Sequence, residues 1–81
     1  MMNVQNVNEL RELLTVENLD NMKYIEFTIM SDDMNYFSIF KSRNIVCCDV
    51  IDNDDMIVNN YYHRTVEDMI NQIVECMREY E

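Results

Sequence analysis

The clearest pattern in the chain is an alternation of apolar and polar residues from Lys23 to Met30. The apolar members of this stretch are Ile25, Phe27 and Ile29, and the residues between them are Tyr24, Glu26 and Thr28. A period of two residues is typical of a β-strand with one buried face. The pattern therefore predicts a strand here whose core side carries Ile25, Phe27 and Ile29.

Further strands follow at similar spacing, separated by short polar segments. Polar turns at Ser31–Asn35 and Ser42–Asn44 bound a second strand at Tyr36–Lys41, and Ile45–Ile51 is predicted as a third. After a loop at Asp52–Asp55, residues Met56–Tyr62 resemble a fourth strand, although Asn59 and Asn60 are weak strand formers.

The third predicted strand places adjacent cysteines on opposite sides of the sheet. Val46, Cys48 and Val50 form its expected core side, which leaves Cys47 and Asp49 facing away from the core. Cys47 and Cys48 therefore make a poor disulfide pair. With Cys76 the chain has three cysteines, and this odd set favours a reduced, cytoplasmic setting.

Two helices are predicted at the ends of the chain. The first spans Val7–Leu14, with Asn6 as N-cap and Glu9 three residues later. Its apolar face is formed by Val7, Leu10, Leu13 and Leu14. The residues Asn18, Asp20 and Asn21 that follow are predicted to form a turn.

The second helix is predicted from Val66 to about Tyr80. Thr65 is the expected N-cap, and Asp68 places a negative charge near the positive end of the helix. The apolar stripe consists of Val66, Ile70, Ile73, Met77 and Tyr80. The opposite face carries Glu67, Asn71, Glu75, Arg78 and Glu79.

These elements predict one α+β domain over residues 1–81. An N-terminal helix precedes a three- to four-stranded antiparallel meander, and a C-terminal amphipathic helix packs on the sheet. The hydrophobic fraction of 48% is ordinary for a folded protein of 81 residues. The chain shows no basic, apolar leader and no apolar run long enough to cross a membrane, so neither export nor membrane insertion is expected.

Charge is the strongest compositional signal. The chain has sixteen acidic and six basic residues, a formal net charge of −10. Residues 44–81 hold nine of the sixteen acids but only two of the six bases. Direct binding of nucleic acid is disfavoured, because contacts with phosphates require Lys and Arg.

No residue set in the sequence matches a metal site or a catalytic site. The acids from Asp49 to Asp55 lack EF-hand spacing, and Cys47, Cys48, Cys76 and His63 lack the paired spacing of a zinc site. A Cys47 and His63 nucleophile pair has no orienting third residue and no glycine-rich loop. We expect no enzymatic activity, no metal and no cofactor.

The acidic residues are instead candidates for a partner-binding surface. Carboxylates fixed on strands and helices at regular spacing can occupy a basic groove that is built to track phosphates. The candidate residues are Asp49, Asp52, Asp54, Asp55, Glu67, Asp68, Glu75 and Glu79. A set of aromatic residues fits either the core or an interface, namely Tyr24, Tyr36, Phe40, Tyr61 and Tyr62.

In size and composition the chain resembles the small acidic phage-encoded proteins that counter bacterial defences, particularly anti-CRISPR proteins. The shared features are the short chain, the acidity and the abundance of Asp, Glu, Asn and Tyr. The resemblance implies a stoichiometric inhibitor that binds the basic nucleic-acid site of a CRISPR effector complex through a DNA-mimicking acidic surface in the host cytoplasm.

Two alternatives remain open at the sequence level. The chain fits a small adaptor or antitoxin-like protein that binds a basic protein through aromatic contacts. It also fits a homodimeric structural protein whose acidity serves solubility, with the exposed sheet face or the methionine-rich edge as the dimer contact.

Overall fold

The computed structural model describes residues 1–80, which form a mixed five-stranded sheet and three helices. In chain order the elements are β1 Met2–Val4, α1 Val7–Leu13, α2 Val16–Asn21, β2 Ile25–Ile29, β3 Asn35–Ser42, β4 Ile45–Asp52, β5 Ile57–His63 and α3 Val66–Arg78. The strands are also neighbours in chain order. β1 pairs with β2 in parallel, and β2 to β5 form an antiparallel meander.

All three helices bury their apolar residues against the same face of the sheet, here called the core face. On the sheet this cluster includes Ile25, Phe27, Ile29, Phe37, Ile39, Val46, Cys48 and Val50. The helices and their flanking residues contribute Leu10, Leu13, Leu14, Leu19, Met69, Ile70, Ile73 and Met77. The predicted α+β class is confirmed, as is the packing of the C-terminal helix on the sheet.

The sheet contains one strand that the sequence pattern did not predict. β1 lies beside β2 in parallel, with Met2 opposite Phe27 and Val4 opposite Ile29. Only Val4 of this strand is buried. A three-residue strand with one buried position has no readable period, so the prediction of a purely antiparallel meander of three to four strands was wrong at this edge.

The predicted turn at Asn18, Asp20 and Asn21 was also wrong, because these residues lie in α2. Thr15 caps this helix, since its Oγ1 accepts a hydrogen bond from the Asn18 backbone N–H at 3.1 Å. The Asn18 side chain donates to the Leu13 carbonyl at 2.8 Å and so satisfies the end of α1. A residue that is typical of turns serves here as a link between two helices.

The other boundaries moved by a few residues. α1 ends at Leu13, with Leu14 as its C-cap, and Val7 is exposed rather than part of the apolar face. α3 ends at Arg78, so Tyr80, which was predicted as part of the apolar stripe, lies beyond the helix; Met69 is a buried residue that the predicted stripe omitted. The fourth meander strand is confirmed as Ile57–His63.

Three turns of this glycine-free chain contain residues with positive φ. The φ angles are 46° at Met30, 58° at Arg43 and 60° at Asp55. Residues other than Gly, Asn and Asp are disfavoured in this region by contact between Cβ and the backbone. The hairpin turns therefore hold some backbone strain, most clearly at Met30 and Arg43.

Candidate functional site

The face of the sheet opposite the helices, here called the outer face, is not covered by any element of residues 1–80. Its side chains form rows that run across the strands, because the strands are in register. The first row contains Phe40, which lies opposite Cys47, which in turn lies opposite Tyr62. Tyr24 extends this row, since its ring meets that of Phe40 edge-on with centroids 5.6 Å apart.

A second apolar row crosses the outer face nearer the turns that join β2 to β3 and β4 to β5. Tyr36 lies opposite Ile51, and Ile51 lies opposite Ile57. Partial burial and the nearby charges of Asp55 and Glu26 raise the pKa of the Tyr36 hydroxyl. Tyr36 therefore lies close to carboxylates while its ring remains half-buried.

A polar row separates the two apolar rows. Glu26 lies opposite Ser38, Ser38 opposite Asp49, and Asp49 opposite Asn60. The backbone positions of Glu26 and Asp49 are separated by two strand spacings, about 10 Å. The charged residues on the outer face of β2 to β5 are thus both acidic, and each is flanked by apolar rows.

Cys47 is the one outer-face residue of the first row that is buried. It points away from the core, as predicted, yet it is only 5% exposed. Burial, with a smaller contribution from the charge of Asp49, raises the pKa of its thiol. Its cross-strand neighbours Phe40 and Tyr62 therefore cover it, and Tyr62 itself is 60% exposed.

Charge is distributed unevenly along the strand direction. The β2–β3 and β4–β5 turns lie at the same end of the sheet and carry a cluster of aspartates, here called the acidic end, consisting of Asp32, Asp33, Asp52, Asp54 and Asp55. The opposite end carries four of the six bases, namely Lys23, Lys41, Arg43 and Arg64. The outer face therefore meets the strongest negative field at its acidic end.

The structure brings together only part of the predicted acidic set. Asp49 lies in the outer-face polar row, and Asp54 and Asp55 lie in the exposed β4–β5 turn. Asp52 instead stabilises the β4–β5 turn, because its Oδ1 accepts hydrogen bonds from the backbone N–H groups of Asp54 and Met56 at 2.9 and 3.0 Å. This carboxylate holds the turn.

The acids of α3 are on the other side of the molecule, because α3 packs on the core face. Glu67 pairs with Arg11 at 3.1 Å, and Glu75 pairs with Arg78 at 2.8 Å. Asp68 lies in the first turn of α3, and Glu79 is its C-cap. The predicted acids therefore do not form one continuous row.

The aromatic residues divide between the two faces. Tyr24, Tyr36, Phe40 and Tyr62 lie on the outer face, whereas Tyr61 lies on the core side opposite Cys48. The Tyr61 hydroxyl is 3.7 Å from the Cys76 thiol. Burial, together with this hydrogen bond, raises the pKa of Tyr61 to about 12.

Sequence reasoning missed Glu26, Ile51 and Ile57 as members of the surface. The alternation placed Glu26 on the side of its strand away from the core. That Glu26 shares a row with Asp49 depends on how the strands pair, which the sequence pattern does not reveal. Ile57 joins the second row because of an irregularity in the register between Val50 and Ile51. Such an irregularity shifts side chains between faces and has no signal in the alternation.

Residues 1–80 hold no group of three or more His, Cys, Asp or Glu side chains placed to bind a metal ion. Within the same part of the chain, no helix is long and apolar enough to cross a membrane. Comparison with protein-family models, curated proteins and solved structures finds no match for this chain. The surface geometry is therefore the basis on which a function is inferred.

Proposed function

We propose that this protein is a stoichiometric inhibitor of a nucleic-acid-handling bacterial defence complex of the CRISPR type. It binds a basic nucleic-acid site of that complex and prevents the site from engaging its substrate. The contact surface is the outer face of the sheet together with the exposed acids of the β4–β5 turn.

One observation carries this proposal: the outer face is uncovered and combines aromatic rows with carboxylates. Tyr24 and Tyr62 are 55% and 60% exposed, although both belong to a continuous apolar row. Exposed aromatic residues flanked by polar groups are typical of protein interfaces. The carboxylates of Glu26 and Asp49 select a basic partner over a neutral or acidic one.

The geometry supports partial rather than complete mimicry of nucleic acid. Glu26 and Asp49 are about 10 Å apart and are separated by Ser38, so the strands do not present closely spaced charges like successive phosphates. Asp54 and Asp55 extend the negative surface toward the acidic end. In this arrangement aromatic contacts supply binding energy, and the acids direct the surface to a basic site.

A second candidate function rests on the aromatic rows alone. An adaptor or antitoxin-like protein would bind a basic protein through Tyr24, Phe40 and Tyr62 without entering a nucleic-acid site. The exposed rings favour this function as much as they favour inhibition. A structural homodimer formed through the outer face is less favoured, because it would place Glu26 and Asp49 of two copies against one another.

Inhibition is tested directly with purified CRISPR effector–guide complexes and target DNA. Cleavage of the DNA is measured as the protein is added, and binding to each effector is measured at increasing salt. We expect inhibition that is complete near one protein per effector. Affinity should fall as salt rises, because exposed charge pairs are screened.

Two variants with equal net charge distinguish the surface from overall acidity. The outer-face variant neutralises Glu26→Gln, Asp49→Asn, Asp54→Asn and Asp55→Asn. The control variant neutralises Glu12→Gln, Glu17→Gln, Glu75→Gln and Glu79→Gln on the helices. We expect the outer-face variant to lose at least about tenfold in affinity and the control to lose far less.

The outcomes separate the candidate functions. Equal loss in both variants would contradict a defined acidic site and leave only a general charge effect. Binding to an effector that resists salt, and is lost in Tyr24→Ala or Tyr62→Ala, would favour the adaptor. Absence of inhibition across the effector complexes would contradict the proposed inhibition.

A further inference from the structure

β5 is an edge strand with few of the features that normally protect such strands from pairing. It lies at the end of the sheet order, and within residues 1–80 only β4 pairs with it. Ile57 and Val58 are 58% and 55% exposed. Natural edge strands are usually shielded by Lys, Pro or charged side chains, which residues 56–62 lack, or by a β-bulge, for which β5 has a register irregularity near Ile57.

The charges that flank β5 have opposite signs at its two ends. Asp54 and Asp55 precede the strand, and Arg64 follows it. When two such strands pair in antiparallel fashion, the start of each lies beside the end of the other. The pairing therefore brings Arg64 of each copy next to the aspartates of the other copy.

We propose that a second copy of this chain pairs with β5, forming a symmetric dimer through antiparallel strands centred on Asn60. Asn60 is the middle residue of Ile57–His63, and its side chain lies on the outer face. At the two-fold axis it faces its own counterpart, and an amide can both donate to and accept from a second amide. Self-complementarity of this kind is what a two-fold interface requires.

The same register gives apolar contacts on either side of the axis. Tyr62 of one copy lies opposite Val58 of the other, which covers two exposed side chains in each half. A two-fold axis normal to the sheet keeps the outer faces of both copies on the same side. The dimer therefore shares Tyr62 with the surface proposed above and leaves the rest of the outer face, including Tyr24 and Asp49, free for a partner.

One contact within β5 and the net charge of the chain oppose this pairing. The Asn59 side chain accepts a hydrogen bond from the Asn60 backbone N–H at 2.9 Å, and a second strand has to displace it or pair beside it. The net charge of −10 on each copy also opposes association. The Debye length is about 30 Å at 0.01 M salt and about 8 Å at 0.15 M, so this repulsion acts mainly at low salt.

The oligomeric state is measured by sedimentation equilibrium under reducing conditions, over protein concentrations up to about 1 mM. We expect a monomer–dimer equilibrium at about 0.15 M salt that shifts toward monomer at about 0.01 M salt. A protein that is monomeric at every concentration at the higher salt would overturn the proposal.

Variants locate the interface. Asn60→Lys places like charges at the two-fold axis and should weaken the dimer by about fivefold, whereas Ser42→Lys adds the same charge on β3 and should not. Arg64→Asp should weaken it, and combination with Asp54→Arg and Asp55→Arg should restore it. A dimer that Asn60→Lys leaves intact would overturn the assignment to β5.

A cross-link gives a second measurement that does not depend on affinity. Opposed residues of antiparallel strands have Cα atoms about 4.5 to 5.5 Å apart, which suits a disulfide. Asn60→Cys should therefore form an intermolecular disulfide on mild oxidation, and Ser42→Cys should not. Equal cross-linking of both variants would contradict the proposed register.

Discussion

The Tyr80 hydroxyl donates a hydrogen bond to Asp32 Oδ2 at 2.6 Å, and this contact joins the end of α3 to the β2–β3 turn. The other carboxylate oxygen of Asp32 accepts from the backbone N–H groups of Met34 and Asn35 at 2.9 and 3.2 Å. Asp32 is 9% exposed, so its carboxylate depends on these donors for its solvation. Tyr80 is thereby fixed to the acidic end of the sheet.

Removal of the Tyr80 hydroxyl should destabilise the fold modestly. Tyr80→Phe keeps the ring and deletes one donor to a charged acceptor, so we expect a loss of about 1 kcal/mol in the free energy of unfolding. Part of the ring is exposed, so we expect the loss to fall below the range of about 1.5 to 3 kcal/mol that is typical of hydrogen bonds to charged groups. Urea denaturation of both proteins measures it, and an unchanged midpoint would show that the hydrogen bond contributes nothing.

The same pair predicts two pH ranges in which stability declines. Burial opposes the ionised form of Asp32, but its hydrogen bonds outweigh burial and lower its pKa below the ordinary 3.8. The ionised Asp32 carboxylate therefore contributes to the stability of the fold above about pH 4, and this contribution is lost as the pH falls through the lowered pKa. Unfolding of the Asp32→Asn variant should show a weaker dependence on acid than unfolding of the unaltered protein.

At alkaline pH the effect of the same hydrogen bond on stability has the opposite pH dependence. The hydrogen bond to Asp32, followed by burial, raises the pKa of Tyr80 from 10.0 to about 12. The protonated Tyr80 hydroxyl therefore contributes its full share of stability below about pH 10, and this share is lost as the pH rises through about 12. Spectrophotometric titration of tyrosinate in the unaltered protein and in the Tyr80→Phe variant should identify the ionisation of Tyr80 as the step that the variant lacks. A Tyr80 hydroxyl that ionises near pH 10 would contradict its hydrogen bond to Asp32.

The sequence predicted the meander because its strands carry local alternation, which Ile25, Phe27 and Ile29 show directly. It did not predict β1, whose pairing joins Val4 to a strand more than twenty residues away. It misassigned α2 because Asn18 was taken for a turn residue, whereas its side chain caps the preceding helix. These failures share a cause, since each depends on contacts between separate segments.

The candidate surface was predictable only in part for the same reason. Asp49 and Cys47 were correctly placed on the side away from the core. Their neighbours were not, because a row such as Phe40, Cys47 and Tyr62 exists only once the register is known. Glu67 and Glu75 were grouped with Asp49 by charge alone, and the packing of α3 on the core face separates them from it.

Glycine at position 43 should stabilise the protein. Arg43 is the first residue of the two-residue loop between Ser42 and Ile45, and its φ of 58° suits glycine better than a side chain with Cβ. We expect Arg43→Gly to raise the free energy of unfolding by about 0.5 to 1 kcal/mol. Arg43→Ala serves as the control for the lost charge, and equal stability of the two variants would contradict relief of strain.

The rate at which Cys47 reacts with a thiol reagent should show how well Phe40 and Tyr62 shield it from solvent on the outer face. Its thiol is nearly inaccessible and its pKa is raised, so modification by a thiol reagent should be slow in the unaltered protein. Tyr62→Ala removes one cross-strand neighbour and should accelerate modification of Cys47. Mass spectrometry of the modified peptides measures this rate, with Cys48 on the core face as an internal reference that should not change.

Asp52 and Asp54 should respond differently to substitution although they lie two residues apart in the same turn. Asp52 Oδ1 accepts from two backbone N–H groups, whereas the Asp54 side chain is exposed. We therefore expect Asp52→Ala to lower the free energy of unfolding by about 1 to 2 kcal/mol and Asp54→Ala to change it by less than about 0.5 kcal/mol. Thermal denaturation of both variants measures the difference.

This difference decides which acids can be altered when binding is measured. A charge reversal that includes Asp52 would disturb the β4–β5 turn and the outer-face row that contains Ile57, so loss of binding would not identify a contact. Asp54→Lys changes the charge of the same turn and leaves its hydrogen bonds in place. If Asp52→Ala proved as stable as Asp54→Ala, the turn would not depend on this carboxylate, and Asp52 would return to the set of acids available to a partner.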